Sequence, residues 1–182
     1  SADCVLALGF EQMRPGALGD IYTDRPSPFG EFNETCEQLV GNAHIPLALR
    51  YFGGAGKSHM DKYGTTLKDF AKIRAKASRH ASKNPLALFK KEVSEEEVLE
   101  SPIMWPGVMT RLMACPPTCG GAAAILVSEK FANQNNLDAT VKILAQSMTT
   151  DYDSTFADKD MMQLVGYDMS KEAAKNVYHQ AS

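Results

Sequence analysis

The chain has 182 residues, of which 44% are apolar and 23% are charged, so one globular domain of ordinary size is expected. Its net charge of −3 gives no reason to expect a nucleic-acid partner, and no apolar run approaches the roughly 20 residues that span a membrane. The four cysteines and four histidines lack the spacing of metal ligands, so we expect no metal ion and no other bound cofactor.

The chain begins with a strand pattern. Residues Cys4 to Leu8 form an uninterrupted apolar run that Gly9 ends, which is typical of a central strand in a parallel sheet. A strand of this kind needs neighbours on both sides. The last residues lie within a helical pattern that Ser170 is predicted to cap. Its predicted inner face consists of Ala173, Ala174 and Val177. We therefore expect the fold to use structure beyond both ends of this chain.

A mostly helical region is predicted from about Glu34 to Arg111. Pro46 can occupy the first turn of a helix, and Gly64 can end one. Between them lies the glycine-rich run Gly53–Gly56, in which each glycine weakens a continuous helix by about 1 kcal/mol. The run resembles a phosphate-binding loop, but that motif needs a glycine where this chain has Tyr51. We expect instead a helix in which the glycines leave no side chains, so that its backbone can approach a ligand or a partner.

The next helix is predicted to start at Thr65 or Thr66 and to stop at Asn84-Pro85. Its apolar face consists of Leu67, Phe70, Ala71, Ile73 and Ala77. Its other face is basic, with Lys68, Lys72, Arg74, Lys76, Arg79, His80 and Lys83. Two interpretations of the basic face stay open: a solvated surface, or a contact with a polyanion such as a nucleotide phosphate. A capping box at Ser94–Glu97 predicts a further short helix.

A loop, a strand and a helix are predicted in the last third of the chain. Two prolines and two glycines forbid regular structure between Cys115 and Gly121. The run Ala122–Val127 is typical of a strand buried on both faces, and Ser128 is an N-cap type that would start a helix. Alternating apolar and polar residues in Thr140–Thr149 predict a half-buried strand.

Five segments, taken together and in order, resemble the sterol-carrier-protein-type thiolases, the lipid-transfer branch of the thiolase superfamily. They are Ala2–Met13, Tyr51–Gly64, Phe70–Ile73 with Asn84-Pro85, Met113–Leu126 and Val165–Ala174. Any one segment would be weak evidence, whereas the ordered set covers nearly the whole chain.

The resemblance implies an α/β class and a partial thiolase-like fold. Residues 1–13 would supply a core strand of the N-terminal βαβαβαββ half, and residues 14–115 a mostly helical loop-domain insertion. Residues 116–138 would supply the last strand and helix of that half, and residues 139–182 the start of the C-terminal half. The strands at Cys4 and Ala122 would then be neighbours in one sheet.

The resemblance also implies acyl transfer between a 3-oxoacyl-CoA and CoA, in which a cysteine thiolate takes the acyl group. The family's nucleophile stands in an Asn-Asn-Cys stretch, and neither it nor the family's His-Asp-Cys-Phe and Gly-His-Pro stretches occurs in this sequence. No catalytic residue is therefore assigned, and this chain alone is expected to lack thiolase activity. Two alternatives stay open: a non-catalytic thiolase-derived scaffold or assembly subunit, and a module that binds acyl-CoA or lipid.

The binding side of the family's site can be transferred to this sequence. The residues assigned to substrate and CoA binding are Tyr51, Phe52, Gly53, Met104, Pro116, Arg74 and Arg79. The first three stand where the family has a His-Met-Gly that lines its acyl and pantetheine channel. Pro116 borders the expected CoA channel and replaces a serine, so a hydroxyl that could bond CoA is missing. Gly120-Gly121 replace the family's Asp-Gly, which removes a carboxylate.

The expected ligands are acyl-CoA and CoA, with CoA as a substrate and not a cofactor. The resemblance further implies a homodimer or a larger thiolase assembly. It also implies a peroxisomal or cytoplasmic location, and no targeting signal is visible in the printed sequence.

Overall fold

The computed structural model describes residues 2–16, 22–41 and 44–182, which fall into two compact units. The sheet unit consists of Ser1–Ser27, Pro116–Ser147 and Lys175–Ser182, and the helical unit of Pro28–Cys115 and Met148–Ala174. The strands are β1 Cys4–Glu11, β2 Ile103–Trp105, β3 Met109–Thr110 and β4 Gly120–Val127. The helices are α1 Gly30–Val40, α2 Leu47–Tyr63, α3 Leu67–Ser82, α4 Glu95–Glu100, α5 Glu129–Gln134, α6 Ser154–Ala157, α7 Met161–Leu164 and α8 Tyr167–Ala181. The assignment of chain segments to the two halves of a thiolase stays a prediction.

Strands β1 and β4 pair with each other along their whole length. Cys4 lies opposite Val127 and Glu11 opposite Gly120, so the two predicted strands are neighbours in one sheet. They run antiparallel, which corrects the expectation of a parallel-type strand. The error arises because an uninterrupted apolar run reports burial and not strand direction. Strand β4 also starts at Gly120, two residues before the predicted Ala122.

The ribbon formed by β1 and β4 carries apolar side chains in an exposed setting. The exposed fractions are 62% for Leu6, 65% for Leu8, 79% for Phe10 and 72% for Ile125. The prediction that both strands are buried is therefore wrong for this chain, since no third strand pairs with them among the described residues. Two strands alone cannot cover their own faces. Such a surface marks a place where further structure packs.

Backbone and side-chain contacts tie the two strands together at both ends of the ribbon. Ser128 donates from its backbone N and its Oγ to Asp3 O and Oδ1, each at 2.9 Å. The same Oγ accepts from Phe131 N at 3.1 Å, so the predicted cap of α5 is confirmed. At the other end Met13 N donates to Cys119 Sγ at 3.3 Å.

The alternating segment Thr140–Thr149 is not a strand. All ten residues lack regular structure, and Val141 and Leu144 are 90% and 75% exposed. A strand needs a backbone partner for its N–H and C=O groups, and alternation alone does not supply one.

Helix α2 runs without a break through the glycines that were expected to weaken it. Its 17 residues include Gly53 and Gly54, both buried, and it ends at Gly64 with φ 72° as predicted. A Cβ at Gly53 would lie 2.9 Å from Trp105 Cε3, and one at Gly54 would lie 2.8 Å from Met161 Cε. The glycines therefore let α2 pack closely on its neighbours, and this tertiary packing overrides their poor helix propensity.

The described residues of the helical unit include two groups that are buried. The first joins α1, α2 and α7 around Cys36, Met161 and Leu164, all at most 3% exposed. The second lies between α3, α4 and β3, where Thr110 Oγ1 donates to Val98 O. Ala71, Ala75, Ser78 and Val98 are buried there.

Capping boxes start both α3 and α4; the sequence predicted the box of α4, and for α3 it predicted only a cap at Thr65 or Thr66. Thr66 and Asp69 form the first, and Ser94 and Glu97 form the second, with Glu97 N to Ser94 Oγ at 3.1 Å and Ser94 N to Glu97 Oε2 at 2.8 Å. The bond from the Ser94 backbone holds the pKa of Glu97 below its ordinary value of 4.5. The stabilisation by this carboxylate is complete above that ordinary pKa and is lost as the pH falls through the lower folded-state pKa.

Three further details differ from the predictions. Strands β2 and β3 form a small antiparallel hairpin inside the region predicted as mostly helical. Ser170 does not cap the last helix, which starts at Tyr167, because Gly166 with φ 92° already turns the chain there. No residue of α8 is buried, so its expected inner face is wrong as well. Among the described helices, none is both long and apolar enough to cross a membrane.

The two serines give a stability prediction. We expect Ser94→Ala to lower the free energy of unfolding by about 1 kcal/mol, because α4 loses its N-cap. Ser170→Ala is the matched control and should not destabilise the protein, because Ser170 lies inside α8 and alanine favours a helix interior. Urea titrations followed by circular dichroism measure both, and equal losses would contradict the assignment of the helix starts.

The glycines of α2 give a second prediction. Gly53→Ala should lower the free energy of unfolding by about 1 kcal/mol, because overpacking against the Trp105 ring exceeds the gain in helix propensity. Gly56→Ala should raise it by about 0.5–1 kcal/mol, because a Cβ there meets the Phe70 ring at ordinary contact distances of 3.6 and 3.7 Å. If both substitutions stabilise the protein equally, the close approach of α2 is wrong.

Candidate functional site

An apolar cavity of about 320 Å³ lies in the helical unit. It is bounded by α2, α3, the hairpin residue Met109 and the turn that ends at Met113. Its lining consists of Phe52, Gly53, Gly56, Phe70, Ile73, Arg74, Ala77, Val108, Met109 and Met113. Apart from Arg74, every one of these side chains is apolar or absent, so the cavity suits an apolar ligand with one polar end.

Helix α2 forms one wall of the cavity with one large side chain and two glycines, which have no side chain. Phe52 is 68% exposed, so its ring borders the opening. Gly53 and Gly56 lie one and four positions further along the helix and leave backbone in place of side chains. A Cβ placed at Gly56 would meet only the Phe70 ring within 4 Å, so space remains there for a ligand atom.

Arg74 gives the cavity its one charged group among the described lining residues. Its Nε donates to Leu112 O at 3.0 Å, which ties α3 to the turn Arg111–Met113 and fixes the guanidinium at the lining. The remaining guanidinium N–H groups can still donate to a ligand carbonyl, carboxylate or phosphate.

Basic side chains continue from Arg74 along the exposed side of α3. Lys72, Lys76, Arg79 and Lys83 are all exposed. None of these four forms an ion pair with another described residue. This side of the helix therefore carries an excess of positive charge, although Lys72 also interacts electrostatically with Asp69.

Three of the seven predicted binding residues come together in the cavity: Phe52, Gly53 and Arg74. Tyr51 instead packs on the Cys36 cluster, and its hydroxyl donates to Asn33 Oδ1. Met104 is half-buried on β2, outside the lining, and Arg79 is exposed on α3. Pro116 is exposed and belongs to the sheet unit.

Sequence reasoning missed the methionine side of the cavity, formed by Met109 and Met113, and the part played by Ile73. Ile73 was assigned to the inward face of α3, yet it is 64% exposed and lines the cavity. A signal was present, because the apolar face of α3 continues from Phe70 to Ala77, further than one neighbouring helix covers.

Among the described residues that line the cavity there is no nucleophile and no general base. Cys36 is fully buried in the other cluster, and burial raises the pKa of its thiol, so it stays protonated. Cys4, Cys115 and Cys119 are exposed and do not line the cavity. No group of three or more His, Cys, Asp or Glu residues within the described parts of the chain could hold a metal ion. The arrangement has the shape and chemistry to hold an apolar ligand with one polar end.

Comparison with known proteins identifies relatives over nearly the whole chain. No family model matches it. Sterol carrier protein 2 from Oryctolagus cuniculus is 45% identical over 182 residues, which is 99% of this chain and 33% of that protein. Non-specific lipid-transfer protein-like 2 from Caenorhabditis elegans is 35% identical over 184 residues, covering 98% of this chain and 44% of that protein. The chain thus spans about a third to a half of the length of these relatives.

Two more distant matches also cover nearly the whole chain. Acetyl-CoA acetyltransferase from Methanothermobacter thermautotrophicus is 26% identical over 98% of this chain and 43% of that protein. A solved structure of an Ltp2-ChsH2(DUF35) aldolase superposes on 99% of this chain and 44% of its own, with a TM-score of 0.72 and 17% identity. A likeness at that identity shows the fold alone, and it confirms the α/β class and the partial thiolase-like fold. Over nearly all of its length this chain is homologous to sterol carrier protein 2, and the weaker similarity to an acetyl-CoA acetyltransferase supports a relation to the thiolase superfamily.

Proposed function

We propose that this chain supplies the acyl- and CoA-binding part of a thiolase-type protein that transfers acyl groups between 3-oxoacyl-CoA and CoA. The observation that carries the proposal is the apolar cavity of about 320 Å³ with Arg74 at its lining. Ligand pockets in proteins start at about 300 Å³ and combine apolar walls with few polar groups. The acyl or pantetheine part of a CoA thioester has this mixed character.

The apolar part of the ligand would lie against Phe52, Ile73 and the two methionines. Methionine side chains adapt to irregular apolar partners because they are unbranched and flexible. Each ligand methylene that they remove from water contributes about 0.8 kcal/mol. Gly53 and Gly56 support this placement of the ligand, since a side chain at Gly56 would fill part of the cavity.

The polar part of the ligand would meet α3. Arg74 would donate to an oxygen of the pantetheine part of the ligand at the cavity, and Lys72, Lys76 and Arg79 would attract the phosphates of the CoA nucleotide. Charge-assisted bonds from arginine to phosphate are among the stronger hydrogen bonds in proteins. This assignment favours the phosphate interpretation of the basic face over a solvated surface.

The catalytic cysteine lies outside this proposal, because none of the four cysteines combines exposure with a place in the cavity. We therefore place acyl transfer on groups that this chain does not supply, and we expect the chain alone to be inactive. A homodimer or larger assembly, and a peroxisomal or cytoplasmic location, are proposed on the same resemblance.

A second candidate is a binder of acyl-CoA or lipid without chemistry of its own. The absence of a nucleophile and a base from the described lining favours it. The relative named as a non-specific lipid-transfer protein-like 2 agrees with it. Both candidates use the same cavity, and thiolysis by the whole protein separates them.

The cavity wall gives the first test. Phe52→Asp should abolish acyl-CoA binding, measured by isothermal titration calorimetry, because it places a carboxylate at an apolar opening. Its thermal unfolding should change little, since Phe52 is 68% exposed. Tyr22→Asp is the matched control, because Tyr22 is an aromatic residue of similar 66% exposure in the sheet unit, and its affinity should equal that of the parent chain. An unchanged affinity of Phe52→Asp would refute the site.

Arg74 gives the second test. Arg74→Met should weaken CoA-thioester binding about 10- to 100-fold, because a hydrogen bond to a charged group contributes about 1.5–3 kcal/mol. Binding of the corresponding fatty-acid methyl ester should change far less. Arg74→Lys keeps the charge and should recover part of the loss. Equal losses for the thioester and the ester would mean that Arg74 only supports the fold through Leu112.

A further inference from the structure

An exposed apolar cluster lies at the tip of the loop that follows α3. The loop comprises residues 84–91 and is here called the tip loop. Leu86 is 92% exposed, Leu88 59% and Phe89 55%. Single exposed apolar residues are common, but three large ones within four positions need a partner to bury them.

The tip loop is held in a defined conformation. Asn84 starts it with an Asx turn, in which Leu86 N donates to Asn84 Oδ1 at 2.9 Å, and Ala87 N donates to Asn84 O at 3.1 Å. Its base is closed by Ser82 Oγ donating to Glu92 Oε1 at 2.7 Å. Behind the base Val93 N donates to Ser78 Oγ at 3.0 Å. Because both ends are fixed to the last turns of α3, residues 84–91 extend past the end of that helix.

Lysines flank the apolar tip, and acidic groups lie on the side of its base. Lys83 and Lys90 are exposed, and neither forms an ion pair with a described residue. Lys91 pairs with Glu97 at 3.2 Å. Glu96 interacts electrostatically with Lys68. Lys68 lies in the first turn of α3, at the end of that helix opposite the tip loop. The tip itself is therefore apolar and positive.

We propose that the tip loop docks this protein onto the surface of an anionic lipid bilayer. Leu86, Leu88 and Phe89 enter the boundary between headgroups and acyl chains, while Lys83 and Lys90 stay at the level of the lipid phosphates. Lysine side chains suit this position because their apolar stems can lie along the membrane boundary with the charge in water.

A bilayer fits the tip loop better than a folded protein does. A stable protein interface buries at least about 1,200 Å² with complementary shape, and three side chains of one loop supply only part of such an area. A bilayer needs no shape complementarity, and negative lipid charge complements Lys83 and Lys90. The proposal concerns delivery to a membrane surface and does not depend on what the cavity binds.

The test is co-sedimentation of the purified protein with vesicles of phosphatidylcholine alone and of phosphatidylcholine with 30% phosphatidylserine, where about a third of the lipid carries negative charge. The protein should bind the anionic vesicles, and high salt should weaken this binding. The double variant Lys83→Ala/Lys90→Ala should bind them about 30-fold more weakly, because each lysine near the surface contributes about 1 kcal/mol to the binding free energy. Leu86→Gln/Leu88→Gln/Phe89→Gln should lose detectable binding.

Two control variants separate the tip loop from the rest of the surface. Val141→Gln removes a side chain that is 90% exposed, and Lys130→Ala/Lys142→Ala removes two exposed lysines outside the helical unit. Both should bind like the parent protein, and circular dichroism should show the same fold for every variant. Equal binding by the tip-loop variants, equal binding to neutral vesicles, or no binding by the parent protein would overturn the proposal. A dimer that the tip-loop variants abolish, without vesicle binding, would assign the loop to a second copy and overturn it as well.

Discussion

The close approach of α2 to its neighbours is the constraint on which the helical unit depends. Gly53 faces the Trp105 ring and Gly54 faces Met161 and Val40, at distances that leave no room for a Cβ. On the Gly54 side the approach builds the buried cluster around Cys36. On the Gly53 side it leaves a gap between α2 and α3 that the hairpin and Met113 close into a cavity. The same pair of glycines thus positions both a buried cluster and the cavity.

The two sides of α2 differ in the side chains that surround them. Tyr51 and Cys36 lie in the packed cluster, where burial raises the pKa of each and keeps both neutral. Phe52 and Arg74 lie at the cavity, where one ring and one cation remain available to a ligand. The division explains why the described lining of the cavity combines apolar walls and one cation with no thiol, imidazole or carboxylate. It also agrees with a chain that spans only a third of sterol carrier protein 2 from Oryctolagus cuniculus.

Local signals in the sequence predicted the caps at Ser94, Ser128 and Gly64, because these residues act through their immediate backbone. The pairing of β1 with β4 was expected from the family resemblance. Signals that depend on distant packing were misread. The glycines of α2 suggested a weak helix, since their packing partners Trp105 and Met161 are far away in sequence. The segment Thr140–Thr149 suggested a strand, since alternation cannot reveal whether a partner strand exists. For the cavity, the family resemblance located Phe52, Gly53 and Arg74, but the methionines that complete it became visible only in the fold.

The central claim is that a ligand binds between α2 and α3. It is tested most directly by a methionine-methyl NMR titration of the protein with an acyl-CoA. Met109 and Met113 line the cavity, while Met161 and Met162 are at most 7% exposed and lie outside its lining. The account predicts that the methyl signals of Met109 and Met113 shift in a saturable manner while those of Met161 and Met162 stay unchanged. Shifts confined to Met161 and Met162, or no saturable shift at Met109 and Met113, would contradict it.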